Sequence, residues 1–283
     1  MCIGQNVGKM TGMRDRVKNC IILIGVMFAA LLLAGCASGW PASDTDVEAK
    51  KLVIGSDSYE PYIYRDDDGK FRGIDVELAT EALRRMGYEP EFRLIVWENK
   101  KDYLDDGEVD CLWGCFSMNG REDDYQWAGP YLYSRQTVAV RMDSDIRKIA
   151  DLAGKMVAVQ ETSKAEEYFL HSTAGNVPDV ELVYCFSGMD EVFAALRKNY
   201  VEAICGHESA LRSFIQTAPD EYRLLDDSLF LSKLGVAFEK DYDAGFVSEL
   251  ERTLEEMLED GTTAAIVEKY GLDVDKSLGR GNN

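Results

Sequence analysis

The chain has 283 residues, 46% hydrophobic and 29% charged, which fits one large domain or two lobes of roughly 100–150 residues and excludes a disordered chain. Its 51 acidic residues outweigh 31 basic ones, for a formal net charge of −20. A surface that acidic repels nucleic acid and anionic lipid head groups, so no nucleic acid is expected as a partner, and no membrane contact through the protein surface.

The first 36 residues differ from the rest. Lys9, Arg14, Arg16 and Lys18 make a positive start, and Ile21 to Ala34 is an uncharged, nearly all-apolar run of 14 residues. That length is short for a bilayer span and suits the apolar region of a secretory signal. The run ends in Leu33-Ala34-Gly35-Cys36. This resembles the lipobox of bacterial lipoproteins, in which the Cys takes a diacylglycerol and becomes the new N-terminus. Residues 1–35 are therefore expected to be a lipoprotein signal peptide, Cys36 the lipidation site, and 36–50 a small, polar lipidated tether. An uncleaved anchor or a plain secretory signal is the alternative. Residues 36–283 hold 27 basic and 50 acidic side chains, a net charge of −23.

From Lys51 the pattern becomes regular. Leu52 to Gly55 reads as a buried strand, and Gly73 to Leu83 carries apolar residues at helical spacing, closed by Gly87. Glu91 to Val96 returns to strand, Lys101 to Asp106 is a short helix, and Val109 to Trp113 is another strand. The pattern then repeats: strand Lys155 to Gln160, helix Ser163 to His171, strand Val180 to Tyr184, helix Met189 to Lys198, strand Val201 to Cys205. Each series is the β-α-β order of an α/β lobe with a largely parallel sheet. Thr137 to Arg141 and Leu234 to Phe238 read as strands that carry the chain from the first lobe to the second and back, two hinge strands beside a cleft. The expected division is 51–138 plus 233–277 for lobe 1 and 139–232 for lobe 2. Amphipathic helices follow at Phe246 to Leu258 and Thr262 to Tyr270.

Beyond Cys36, Cys111, Cys115, Cys185 and Cys205 each sit in an apolar stretch, which reads as four buried thiols. An exported chain has the alternative of a disulfide among them. The C-x3-C pair has neither a His nor a second Cys pair beside it, so no metal is expected, and nothing points to a cofactor.

Several segments in order resemble the bacterial extracellular solute-binding proteins of the polar amino-acid type, family 3. They are Asp57-Ser58-Tyr59-Glu60-Pro61-Tyr62, Asp68 to Val76, Trp127-Ala128-Gly129-Pro130-Tyr131, Asp151 to Gln160 and Asp260-Gly261-Thr262. The resemblance covers about residues 51–271. It implies a two-lobed periplasmic-binding-protein-like α/β fold with a ligand cleft between the lobes, closing on a solute and docking on a permease.

The resemblance also implies roles. Arg121 matches the family's carboxylate-binding Arg, whose planar fork suits a carboxylate. Ser117 matches the hydroxyl that supports it, with one residue fewer between the two than is common. Ser163 and Lys164 open a helix whose free N–H groups suit an anion; the plain alternative is a helix cap. A hydroxyl residue often stands where this chain has Lys164. The family's amine-holding Asp is His207 here, with Glu208 beside it. Tyr59, Tyr62 and Trp97 match the side-chain pocket, with Trp113 close by, and Glu98 is a candidate replacement for the missing Asp. Such a cleft is less negative than the family norm and disfavours cationic ligands, and protonation of His207 near pH 6–7 is expected to strengthen capture of an anion.

The resulting expectation is a lipid-anchored solute-binding protein at the extracytoplasmic face, periplasmic or on the cell surface. It captures a small carboxylate-bearing solute, an amino acid first, for an ABC transporter permease, and is not an enzyme. The alternatives are a sensing module for a separate receptor or kinase and a cyclohexadienyl-dehydratase-like enzyme.

Overall fold

A computed structural model describes residues 50–172 and 177–280. The signal peptide, Cys36 and nearly all of the tether lie outside the described residues.

The described residues build on one eight-stranded sheet of order β4-β1-β5-β10-β6-β9-β7-β8, beside a small two-stranded sheet of β2 (Tyr64–Arg65) and β3 (Phe71–Arg72). One flank holds β1 (Lys50–Ser56), β4 (Tyr88–Leu94) and β5 (Cys111–Leu112), with β1 parallel to both others. The other flank holds β7 (Met156–Gln160), β8 (Leu182–Phe186) and β9 (Ala203–His207), with β7 parallel to both others. Between them run β6 (Gln126–Arg141) and β10 (Tyr222–Phe238), antiparallel and paired from Tyr222 opposite Arg141 to Phe238 opposite Gln126, with shifts of register along the way. The fold is the expected two-lobed α/β arrangement, with these two strands passing through both flanks.

Both faces of each flank are covered, which is why its strands read as continuous apolar runs. Leu52 and Ile54 face the large core while Val53 faces the small one around Ile95, Leu104 and Leu112. On the second flank Ala158 faces the large core, and Val157 and Val159 face a third cluster with Val138, Ile146 and Cys205. The two crossing strands are longer than expected. Polar segments in their middles, Ser134-Arg135-Gln136 and Asp226-Asp227-Ser228, interrupt the apolar signal of a buried strand, and the register shifts beside the second of them.

Helix α1 (Ile74–Met86) has acids in its first turn, Arg84 and Arg85 in its last, and left-handed Gly87 as its C-cap. It starts at Gly73, and its first N–H groups, of Ile74 and Asp75, donate to the carbonyls of Pro61 and Tyr62 at 3.0 and 2.9 Å. Asp75 is a buried tie rather than a surface acid. Its carboxylate accepts from the Cys115 N–H at 2.7 Å and the Tyr131 hydroxyl at 3.0 Å, and burial pushes it up to about 7.

Helices α2 (Lys100–Asp105), α3 (Lys164–Leu170), α4 (Met189–Arg197) and α5 (Glu208–Gln216) follow their strands, and α6 (Ala244–Glu259), α7 (Thr262–Lys269) and α8 (Val274–Ser277) close the chain. Cys111, Cys115, Cys185 and Cys205 are free; the first two and Cys205 are buried, and Cys185 is half-buried because β8 is an edge strand. Among the described residues, no helix is long and apolar enough to cross a membrane, and no group of three or more His, Cys, Asp or Glu is placed to hold a metal.

Candidate functional site

The parallel strands of the two flanks end facing each other, and the residues just beyond those ends line a cavity whose empty space, counting the part open to solvent, is about 430 Å³. Open parallel sheets bind ligands at such strand ends, where the chain must leave the sheet with unpaired backbone groups and side chains free to converge. From the first flank come Asp57 and Tyr59 after β1, Trp97 on a short helical turn, Ser117 and Phe116 after β5, and Arg121. From the second come Gln160, Thr162, Ser163 and Lys164 around the start of α3, Met189 at the start of α4, and His207 at the end of β9. Gln136 lies on the crossing strand β6.

Hydrogen bonds join the flanks across this cavity. Arg121 Nη2 donates to the Thr162 carbonyl at 2.9 Å, Lys100 Nζ to Thr162 Oγ1 at 2.7 Å, and Gln160 Nε2 to Asp57 Oδ2 at 2.5 Å. The His207 N–H reaches the Tyr59 hydroxyl at 3.4 Å. The structure is therefore a closed form. Thr162 and Cys115, both on the cavity wall, have φ of +54° and +53°, a strained backbone that surrounding contacts must hold.

Seven of the residues singled out in the sequence line this cavity: Tyr59, Trp97, Ser117, Arg121, Ser163, Lys164 and His207. Their states differ. Arg121 also donates Nη1 to the Ser117 carbonyl at 3.3 Å and lies over the Phe116 ring at 5.3 Å. Its side chain is 13% exposed, and among the described residues the carboxylate paired with it is that of Glu167, 3.9 Å away. It is a desolvated cation held mainly by neutral carbonyls. Ser163 takes the plain alternative: its hydroxyl caps α3 by accepting from the Glu166 N–H, while Glu166 Oε2 takes the Thr162 N–H at 2.6 Å. Lys164 is paired with Glu167. Ser117 Oγ donates to Ser232 Oγ at 2.9 Å, and Trp97 packs edge-on against Phe116.

Tyr62 does not line the cavity. The tight turn from Tyr59 to Ile63 sends its ring into the core, 1% exposed, where its hydroxyl accepts from Ser209 Oγ beside a separate surface groove. Trp113 is likewise core, packed on Tyr131. Neither acidic candidate faces the site: Glu98 is exposed, and Glu208 is clamped between Arg135 and Arg212 at 2.6 Å each. The expected pH response of His207 is also corrected. Burial, and then the nearby Arg121 charge, push the imidazole down to about 3, so it stays neutral at physiological pH.

Sequence reasoning missed Asp57, Gln136, Gln160 and Lys100 as site groups. The available signal was a polar side chain at or just beyond the end of a buried strand, as at Asp57 and Gln160. Asp57 is pushed up to about 6 by burial, against the lowering effects of Gln160, a backbone hydrogen bond and Lys100. Lys100 in turn is lowered to about 8 by burial and Arg121. The cavity thus holds a cation, Arg121, and an acid, Asp57, a pattern that suits a zwitterion.

Residues 52–273 match the family described as bacterial extracellular solute-binding proteins, family 3. The L-cystine-binding protein TcyA of Bacillus subtilis (strain 168) is 27% identical over 276 residues, spanning 92% of this chain and 100% of its own. The L-cystine-binding protein TcyJ of Escherichia coli (strain K12) is 25% identical over 262 residues, spanning 90% and 96%. Among solved structures, Tv2483 bound to L-arginine superposes with a TM-score of 0.71 at 26% identity, covering 78% of this chain and 90% of that one.

Proposed function

The chain belongs to the bacterial extracellular solute-binding proteins of family 3, and on that premise we propose that its cavity captures a small zwitterionic amino acid for an ABC permease. The observation that carries this reading is Arg121, a desolvated guanidinium on the cavity wall whose ion-pair partner Glu167 is 3.9 Å away. A ligand carboxylate supplies the close counter-charge that the carbonyls of Ser117 and Thr162 do not, since a buried cation is costly until it is paired. Asp57, from the opposite flank, takes the ammonium in this chain, where the family's Asp is replaced by His207. Tyr59, Trp97 and Phe116 pack the side chain. Because Arg121 also donates to Thr162 on the other flank, the residue that holds the carboxylate also holds the closed form, which links capture to the shape a permease recognises. L-Cystine is the first candidate ligand, since both relatives above are named for it. A thermal-shift screen of L-amino acids including L-cystine is the test. A ligand at about 100 times its Kd adds roughly 2.7 kcal/mol to native stability, and no shift with any of them at millimolar concentration would sink the reading.

The Asp57 role has a pH signature. The ammonium needs the ionised carboxylate, and Asp57 takes up its proton near pH 6. Affinity is therefore expected to fall as the pH drops through that value, by about tenfold from pH 7 to pH 5, since a free amino acid's own groups do not titrate there. Calorimetry at both values checks it, and Asp57→Asn should flatten the profile. An affinity that rises on acidification removes Asp57 from the role.

The anchor belongs to the same proposal. Leu33-Ala34-Gly35-Cys36 after an apolar run supports a lipidated Cys36 that tethers the protein outside the cytoplasm. Cys36→Ser is expected to lose diacylglycerol entirely by mass spectrometry and to leave an unprocessed or released protein. Lipid retained on the variant would refute the lipobox.

A further inference from the structure

Two buried side chains on the cavity wall have a polar atom without a partner among the described residues: Gln136 through Oε1 and His207 through Nδ1. They are 2% and 6% exposed, so water does not readily replace the missing bonds, and an unsatisfied buried polar atom is costly. They are also a pair. Gln136 on β6 lies directly opposite His207 on β9 in the antiparallel register, which sends their side chains off the same face of the sheet. Gln136 Nε2 lies 2.9 Å from His207 Nε2 and 3.4 Å from Ser232 Oγ. With the amide nitrogen donating to Nε2, the imidazole carries its proton on Nδ1, so the two remaining atoms are one donor, Nδ1–H, and one acceptor, Oε1. Turning the amide over exchanges the roles, and the pair still presents one donor and one acceptor.

We propose that Gln136 and His207 form a neutral selectivity pair that takes a ligand group offering both an acceptor and a donor, and rejects groups that offer only one. A carboxamide or a second amino-acid head group offers both. A guanidinium offers donors only and a side-chain carboxylate acceptors only, and each leaves one of the two wall atoms unpaired. The loss is of the kind that makes polar pockets discriminate strongly. This inference rests on the reading of the cavity as an amino-acid site.

The test is calorimetry of the purified protein with four probes: L-glutamine, L-cystine, L-arginine and L-glutamate. At least one of L-glutamine and L-cystine is expected to bind tenfold or more tighter than both L-arginine and L-glutamate. Preference for L-glutamine identifies the carboxamide, and preference for L-cystine the second head group. Gln136→Glu makes the wall acceptor-rich at nearly the same shape and should shift the ratio of the preferred probe to L-arginine at least tenfold towards L-arginine. Gln136→Leu removes one of the pair's two groups, whichever way the amide is turned, and should shrink the same preference. If wild type prefers L-arginine or L-glutamate, if no probe binds, or if Gln136→Glu moves the ratio less than twofold, the inference is overturned. Arg121→Ala separates the two layers. Binding that survives that change overturns the carboxylate reading, whereas binding lost there with an unchanged ratio in the Gln136 variants overturns only the selectivity pair.

Discussion

Replacing Arg121 by Ala is expected to weaken amino-acid capture by about 2–5 kcal/mol, roughly 30-fold to several thousand-fold in Kd. The size follows from where the guanidinium sits. It is desolvated on the cavity wall, stacked over Phe116, and two of its N–H groups already hold the carbonyls of Ser117 and Thr162. A carboxylate that docks there gives up its hydration, and once the cation is gone nothing in that position replaces it. Arg121→Lys keeps the charge but not the planar fork, and should recover only part of the loss. The fold should survive Arg121→Ala, because the side chain lies between the flanks rather than in any of the three apolar clusters. Calorimetry with the ligand from the thermal-shift screen, beside a thermal melt of the unliganded protein, reads both effects. An affinity within threefold of wild type would remove Arg121 from the site.

Gly73→Ala is expected to cost about 3 kcal/mol or more of folding stability. A non-glycine residue at its φ of +125° costs on the order of 1–3 kcal/mol by itself. In addition, a Cβ would lie 2.1 Å from the Tyr62 carbonyl oxygen and 2.4 Å from its carbon, backbone atoms that cannot move aside alone. They are held there because α1 docks its first N–H groups on Pro61 and Tyr62. Relief of the clash must therefore pull the turn carrying Tyr59 away from the helix, so ligand affinity should drop with stability. For a chain of this size the loss corresponds to roughly 6–12 °C in Tm. Gly87→Ala is the control: Gly87 is also left-handed, at φ +77°, but a Cβ there meets nothing within 4 Å. It should cost only about 1–2 kcal/mol. Equal losses at the two positions would refute the close-approach argument.

The architecture is legible along the chain. Buried strands alternate with amphipathic helices in two series, and those patterns are local: a parallel strand covered on both faces must be apolar throughout, and a helix must be apolar every three to four residues. The glycines that close α1 or admit its start are similarly local demands of the backbone. Arg121, Ser117, Tyr59, Trp97, Ser163, Lys164 and His207 were legible because they stand in recognisable segments. Which polar side chains meet, and in what charge state, depends on contacts that form only when the chain folds. Asp57 and Gln160 are 103 residues apart and touch only when the flanks close, and Gln136 lies opposite His207 only through the register of two strands 71 residues apart. Tyr62, three residues from Tyr59, points into the core because a turn separates them, which spacing alone does not reveal. The residue type of His207 suggests a pH switch. Its neutrality comes from burial and from the charge of Arg121, and both exist only once the chain has folded.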